Sequence, residues 1–188
     1  MKTALAAFAA LPGLLGPASA QEPPSTDRYF IDGQTTLAAR KAVKPNTRQA
    51  KNVILFVGDG MDITTTTAAR IFDGQSRNEE GEENFLSFER FPFVALSKTY
   101  NTNAQTPDSA GTMSAMTTGV KTKIGVIALT DAAPVGDCAS SKSAIAPTLG
   151  ELAERAGLST GVVTTTRLTH ATPAAVYAHA ADRDWERD

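Results

Sequence analysis

The 188-residue chain is 41% hydrophobic and 20% charged, with a formal net charge of −2. That length is enough for one domain with a sizeable core. A charge so mild, with no basic patch interleaved with aromatics and no internal repeat, argues against a nucleic-acid or membrane-surface partner.

Lys2 precedes an apolar stretch at 4–15 that is too short to span a bilayer, and Ala18-Ser19-Ala20 ends it in an Ala-x-Ala pattern. Residues 1–20 are therefore expected to be a signal peptide cleaved after Ala20, which places the mature chain in the periplasm or outside the cell. No other stretch reaches transmembrane length. Residues 21–50 carry Pro23-Pro24, scattered charges and Pro45-Asn46, and read as an N-terminal arm with one short helix at 35–42. Residues 51–188 read as an α/β domain.

Val53, Ile54, Leu55, Phe56 and Val57 form an unbroken apolar run ended by Gly58-Asp59-Gly60, the pattern of a strand buried on both faces of a parallel sheet. A helix is expected over 63–72, weakened by four consecutive threonines. A charged loop follows at 76–84 and a second strand at 93–100. The stretch 106–119 reads as a helix with Thr106 as N-cap, Pro107 in the first turn and Gly119 as a left-handed stop. A further strand is expected at 124–129, a loop with Cys138 at 131–143, and a helix at 147–156 stopped by Gly157. The β-rich run 160–166 and a helix from Thr172-Pro173 to about 182 complete the alternation. Strands alternating with helices predict α/β layers: a mainly parallel sheet flanked by helices.

In such sheets ligands gather beyond the carboxyl ends of the strands. Asp59 sits at one such end, between two glycines, as a natural ligand for a divalent cation. Ser109 lies in the first turn of its helix, where unpartnered amides and the dipole favour an anion such as phosphate. A serine hydroxyl is a poor nucleophile near neutral pH until a base or a metal lowers its pKa. No GxSxG elbow accompanies Ser109, so metal activation accounts for it better than a Ser-His-Asp triad. His170 and Thr172 follow the last expected strand and face the same rim. Arg183, at the far end of the helix that Thr172 opens, could fold back to grip two phosphate oxygens. His179 reads as structural or solvated. Cys138, the single cysteine, is a small buried residue, a free thiol, or half of a pair whose partner lies elsewhere.

VGDGM at 57–61, TPDSAGT at 106–112 and TTTRLTHATPAAVYAH at 164–179 together resemble alkaline phosphatase, over nearly the whole mature chain but only the N-terminal part of a family enzyme. The resemblance implies hydrolysis of phosphate monoesters with two zinc ions and one magnesium, often by a homodimer. It implies that Ser109 attacks phosphorus, becomes a phosphoserine and also ligates a zinc. It further implies that Asp59 touches that zinc and the magnesium, that His170 and Thr172 belong to the magnesium neighbourhood, and that Arg183 clamps phosphate. Some members carry Asp where His170 stands, so a water-mediated contact suits His170 better than direct coordination.

Two departures qualify the resemblance. Asp62 stands where members usually have Gly, and its carboxylate either disturbs the metals or points away. The remaining metal ligands of the family lie downstream of Asp188, and two histidines cannot complete two zinc sites. Family members also often pair a cysteine near Cys138 with one beyond the arginine segment. The chain is accordingly expected to be a truncated, inactive piece. Two rival expectations stand beside this one: an exported non-catalytic fragment binding phosphate or a metal, and a related metal-dependent diesterase or sulfatase. TPDSAGT favours the phosphatase, since those relatives would use a threonine or a modified cysteine as nucleophile.

Overall fold

The computed structural model describes residues 26–187, so the expected signal peptide at 1–20 lies outside the described residues. The chain divides into two compact units between Lys51 and Asn52. In the first, helix α1 (Arg28–Ala42) begins earlier than the expected 35–42, because Asp27 caps it by accepting from the Phe30 amide at 3.0 Å. Arg40 and Lys41 lie in its last turn, where the dipole favours cations, and none of its residues is buried.

The second unit holds α2 (Ile63–Gln75), a 3₁₀ turn (Ser87–Arg90), α3 (Ser109–Thr118), α4 (Cys138–Ser141), α5 (Leu149–Arg155) and α6 (Ala171–Ala174). Its core is small-residue packing. Ala110 and Met113 of α3 meet Ile127, Ala128 and the alanines 171, 174 and 175, while Val126, Leu129, Ala133, Ala144 and Ala181 form a second cluster. Among the described residues no helix is long and apolar enough to cross a membrane.

The expected parallel sheet is not seen. Among the described residues the only β pairings are isolated antiparallel bridges, Asn101 with Ala104, Ile127 with Ala180 and Leu129 with Ile145. A strand exists only through a neighbour's ladder of amides and carbonyls, and residues 53–57 have no such neighbour. Val53 is 82% exposed and Phe56 88%; only Val57 packs against the core. The runs 93–100 and 160–166 are likewise irregular chain. At 124–129 the obstacle is internal, since Gly125 (φ +79°) and Ala128 (φ +46°) turn left-handed and break any extended geometry.

Helices α2, α3, α5 and α6 also depart from their expected ends: α2 (Ile63–Gln75) runs past 72, and α5 (Leu149–Arg155) is shorter than 147–156. Helix α3 is capped by Asp108 rather than Thr106, the Asp108 carboxylate accepting from the Gly111 amide at 3.1 Å, and Gly119 (φ +74°) stops it as expected. The expected helix over 172–182 shrinks to α6, whose N-cap is His170 rather than Thr172. The carbonyls that would carry it onward are already taken. Thr117 Oγ1 donates to Ala175 O at 2.8 Å and Thr148 Oγ1 donates to Val176 O at 2.6 Å. Ala180 then pairs with Ile127 through main-chain bonds of 2.8 and 3.0 Å. Arg183 therefore rides on a turn, not on a helix end.

Candidate active site

Gly60 (φ +70°) lets the backbone reverse after Asp59, and the Met61 amide closes the turn on Gly58 O at 3.2 Å. Asp62 then caps α2 through a 2.6 Å bond from the Thr65 amide, and the same contact holds its carboxyl below the ordinary value. The turn presents the Asp59 carboxylate to two hydroxyls distant in sequence. Ser109 Oγ donates to Asp59 Oδ1 at 3.0 Å, and Thr172 Oγ1 donates to Asp59 Oδ2 at 2.8 Å. Ser109 is the first residue of α3 and Thr172 lies in α6, and these two helices pack together.

Asp108, the cap of the same helix, carries the arginine. Arg183 Nη1 donates to Asp108 Oδ2 at 3.1 Å, and its Nη2 lies 3.3 Å from His170 Nε2. A neutral imidazole accepts at one nitrogen only, so this contact and the 3.5 Å approach of the Thr172 amide to His170 Nδ1 cannot both be full hydrogen bonds. Burial pushes the Asp108 carboxyl up, but donors from the Gly111 amide, Asn101, the Gly125 amide and Arg183 outweigh it and hold the group below the ordinary value. Sequence reasoning passed over Asp108. Its signal was present, an aspartate immediately before the helix, but Thr106-Pro107 imitates a cap two residues earlier.

A third connection braces this corner. Arg167 Nε and Nη2 grip Glu186 at 2.7 and 2.5 Å, and Thr169 Oγ1 adds a 2.7 Å bond to the same carboxylate. These bonds tie the chain before His170 to the chain after Arg183. They lower the Glu186 carboxyl from its ordinary 4.5 to about 2, Arg167 first and Thr169 next. His179 is structural: its ring sits 2.7 Å from Ala128 O and 3.0 Å from Glu151 Oε1. Cys138 is an exposed free thiol. It borders an open hollow of about 570 Å³ together with Ser141, His179, Trp185, Glu186 and Arg187; Asp59, Ser109 and Thr172 do not line it.

Asp59, Ser109 and Thr172 supply one carboxylate and two hydroxyls, a hard oxygen set of the kind magnesium accepts while keeping several waters. By themselves they do not complete a tetrahedral zinc site, since among the described residues no three His, Cys, Asp or Glu converge to hold a metal ion.

The site therefore sets a helix-borne hydroxyl against a carboxylate, with a guanidinium on the neighbouring cap. The chain belongs to the alkaline phosphatase family, whose profile matches residues 50–188. It is 51% identical over 163 residues to the human tissue-nonspecific alkaline phosphatase, covering 86% of this chain and 31% of that protein. It is also 51% identical over 143 residues to the alkaline phosphatase of Gadus morhua, covering 76% of this chain and 30% of that one. Among solved structures, the cold-active enzyme of a psychrophilic Shewanella species superposes with a TM-score of 0.57 at 33% identity, over 69% of this chain and 30% of the other. The enzyme of the Antarctic bacterium TAB5 gives a TM-score of 0.52 at 28% identity, over 68% and 32%. The chain thus spans about 30% of the length of the relatives it matches.

Proposed function

We propose that this chain carries the nucleophile and phosphate-clamp portion of an exported phosphate monoester hydrolase, with residues 1–20 as the cleaved signal and 21–50 as an arm. The observation that carries the reading is the approach of Ser109 Oγ and Thr172 Oγ1 to the two oxygens of one carboxylate, Asp59, at 3.0 and 2.8 Å. Ser109 Oγ forms the new bond to phosphorus while the ester oxygen leaves with the bonding electrons. The hydroxyl proton already points at Asp59 Oδ1. Arg183, anchored on Asp108, holds the non-bridging oxygens, and the open amides at the start of α3 favour their charge. Asp59, Ser109 and Thr172, with His170 through water, are the residues that would hold magnesium, and Asp59 and Ser109 are this chain's share of a zinc site. Divalent ions held there would supply a lowered pKa at the Ser109 hydroxyl and charge to steady the attacking and leaving oxygens. The family reading implies two zinc ions, one magnesium and a homodimer.

The zinc pair cannot be assembled from the described residues, and this favours a second statement: the 188-residue chain by itself binds phosphate or magnesium weakly and does not turn over. Assayed with p-nitrophenyl phosphate at alkaline pH with zinc and magnesium, it should show negligible rate. Joining it to the remaining sequence of a family member should restore turnover and a phosphoenzyme, and Ser109→Ala in that longer protein should abolish both. Turnover surviving Ser109→Ala would reject the nucleophile.

A further inference from the structure

We propose that Asn101 is a positioning residue for the Arg183 clamp, its buried amide fixing the Asp108 carboxylate that orients the guanidinium. The inference rests on the reading of Arg183 as the phosphate clamp. Asn101 is 2% exposed. Its Nδ2 donates to Asp108 Oδ1 at 2.8 Å, whereas its Oδ1 is buried without a partner. A buried amide with an orphaned carbonyl is unfavourable, so what this position requires is the donor it gives Asp108.

The surroundings are shaped to that amide. Main-chain bonds between Asn101 and Ala104, 3.0 and 3.2 Å, close the turn that presents it. Lys121 Nζ ties the preceding carbonyl, Tyr100 O, at 2.9 Å. On the facing side stands Gly111, where an added Cβ would lie 2.6 Å from Asn101 Oδ1 and 2.7 Å from Nδ2. The glycine is what allows the first turn of α3 to lie against the amide.

The effect on Arg183 follows from how donors divide over the carboxylate. Asp108 Oδ1 receives Asn101 Nδ2 and the Gly111 amide; Oδ2 receives the Gly125 amide at 3.0 Å and Arg183 Nη1 at 3.1 Å. With both oxygens engaged the carboxylate plane cannot rotate, and Oδ2 holds the guanidinium in one direction. Without Asn101, Oδ1 keeps only the helix amide. The plane loosens, and Arg183 retains its contact with His170 as the other hold.

The test is a double-mutant cycle in the full 188-residue chain, titrated with inorganic phosphate in the presence of magnesium. Asn101→Ser should weaken phosphate binding about tenfold when Arg183 is present, the scale of one hydrogen bond to a charged group. It should change little in an Arg183→Ala background. Equal losses in both backgrounds would overturn the proposal. Amide exchange supplies a readout that needs no ligand. Exchange at Gly125, which joins this corner through Asp108, should quicken about tenfold, again the scale of one such bond, while the Gly119 amide at the far end of α3 stays as it was. Unchanged exchange at Gly125 would equally overturn it. If the parent chain binds no phosphate, the reading of Arg183 fails, and exchange at Gly125 still decides the role of Asn101. Should Asn101→Ser not fold, Gly111→Ala crowds the amide from the other side and should give the same pattern of exchange and affinity.

Discussion

Glu186 joins two segments that carry site residues, and its low pKa makes the joint pH-dependent. A carboxyl whose folded pKa lies below its unfolded one adds stability above the unfolded value and loses it as pH falls through the folded value. For Glu186 that window runs from about 4.5 down to about 2. In urea melts the stability difference between the parent and Glu186→Gln should be constant above pH 5 and shrink steadily below 4.5; a difference independent of pH would remove the clamp. Asp62 shows what a single residue does not reveal in sequence. A carboxylate three positions after Asp59 is equally compatible with a metal neighbour and with a helix cap, because both need the same charge. The 2.6 Å bond from the Thr65 amide assigns it to the cap. Asp62→Ala should therefore fray the start of α2, seen as faster exchange at Thr65, while Asp62→Asn should not.

Elements were legible where their ends are written in local chemistry. The stops of α3 and α5 could be read because Gly119 and Gly157 adopt positive φ, which few other residues tolerate. The start of α5, expected at 147, falls at Leu149 because of a capping box the expectation did not use: Thr148 Oγ1 accepts from the Glu151 amide at 3.1 Å while Glu151 Oε2 accepts from the Thr148 amide at 3.0 Å. The short α6 could not be read, because what ends it comes from α3 and from the α5 cap, at Thr117 and Thr148. Thr148 thus serves two elements. Replacing it with valine keeps the volume but strands the Glu151 amide and the Val176 carbonyl, at a cost of about 2 kcal/mol. Denaturant melts of Thr148→Val measure this, and a loss well under about 0.5 kcal/mol would mean that solvent replaces both bonds.

For the second unit as a whole, the apolar pattern and the observed packing point in different directions, and that has a consequence in solution. Alternating strand and helix signals predicted α/β layers, of which the described residues hold the helices and only isolated bridges, whereas the three motifs carry Asp59, Ser109 and Thr172, which do meet. The sheet was not reachable from the pattern, because an apolar run specifies only that a strand would be buried if partners flank it. Here Val53, Ile54, Leu55 and Phe56, with Phe93, Val94 and Leu96, stand exposed on irregular chain. Such runs combine apolar side chains with unpaired amides and carbonyls, the features that recruit another chain edge to edge. The 188-residue chain should therefore self-associate as its concentration rises, visible in sedimentation velocity as a growing faster-moving fraction, and should bind a hydrophobic dye. Phe56→Lys combined with Leu96→Lys places a charge in each run, where like charges oppose pairing, so the double variant should stay monomeric to higher concentration. Because neither residue belongs to the buried core clusters, its melting midpoint should hardly move. A parent chain that sediments as a monomer throughout would mean that these segments are covered in solution.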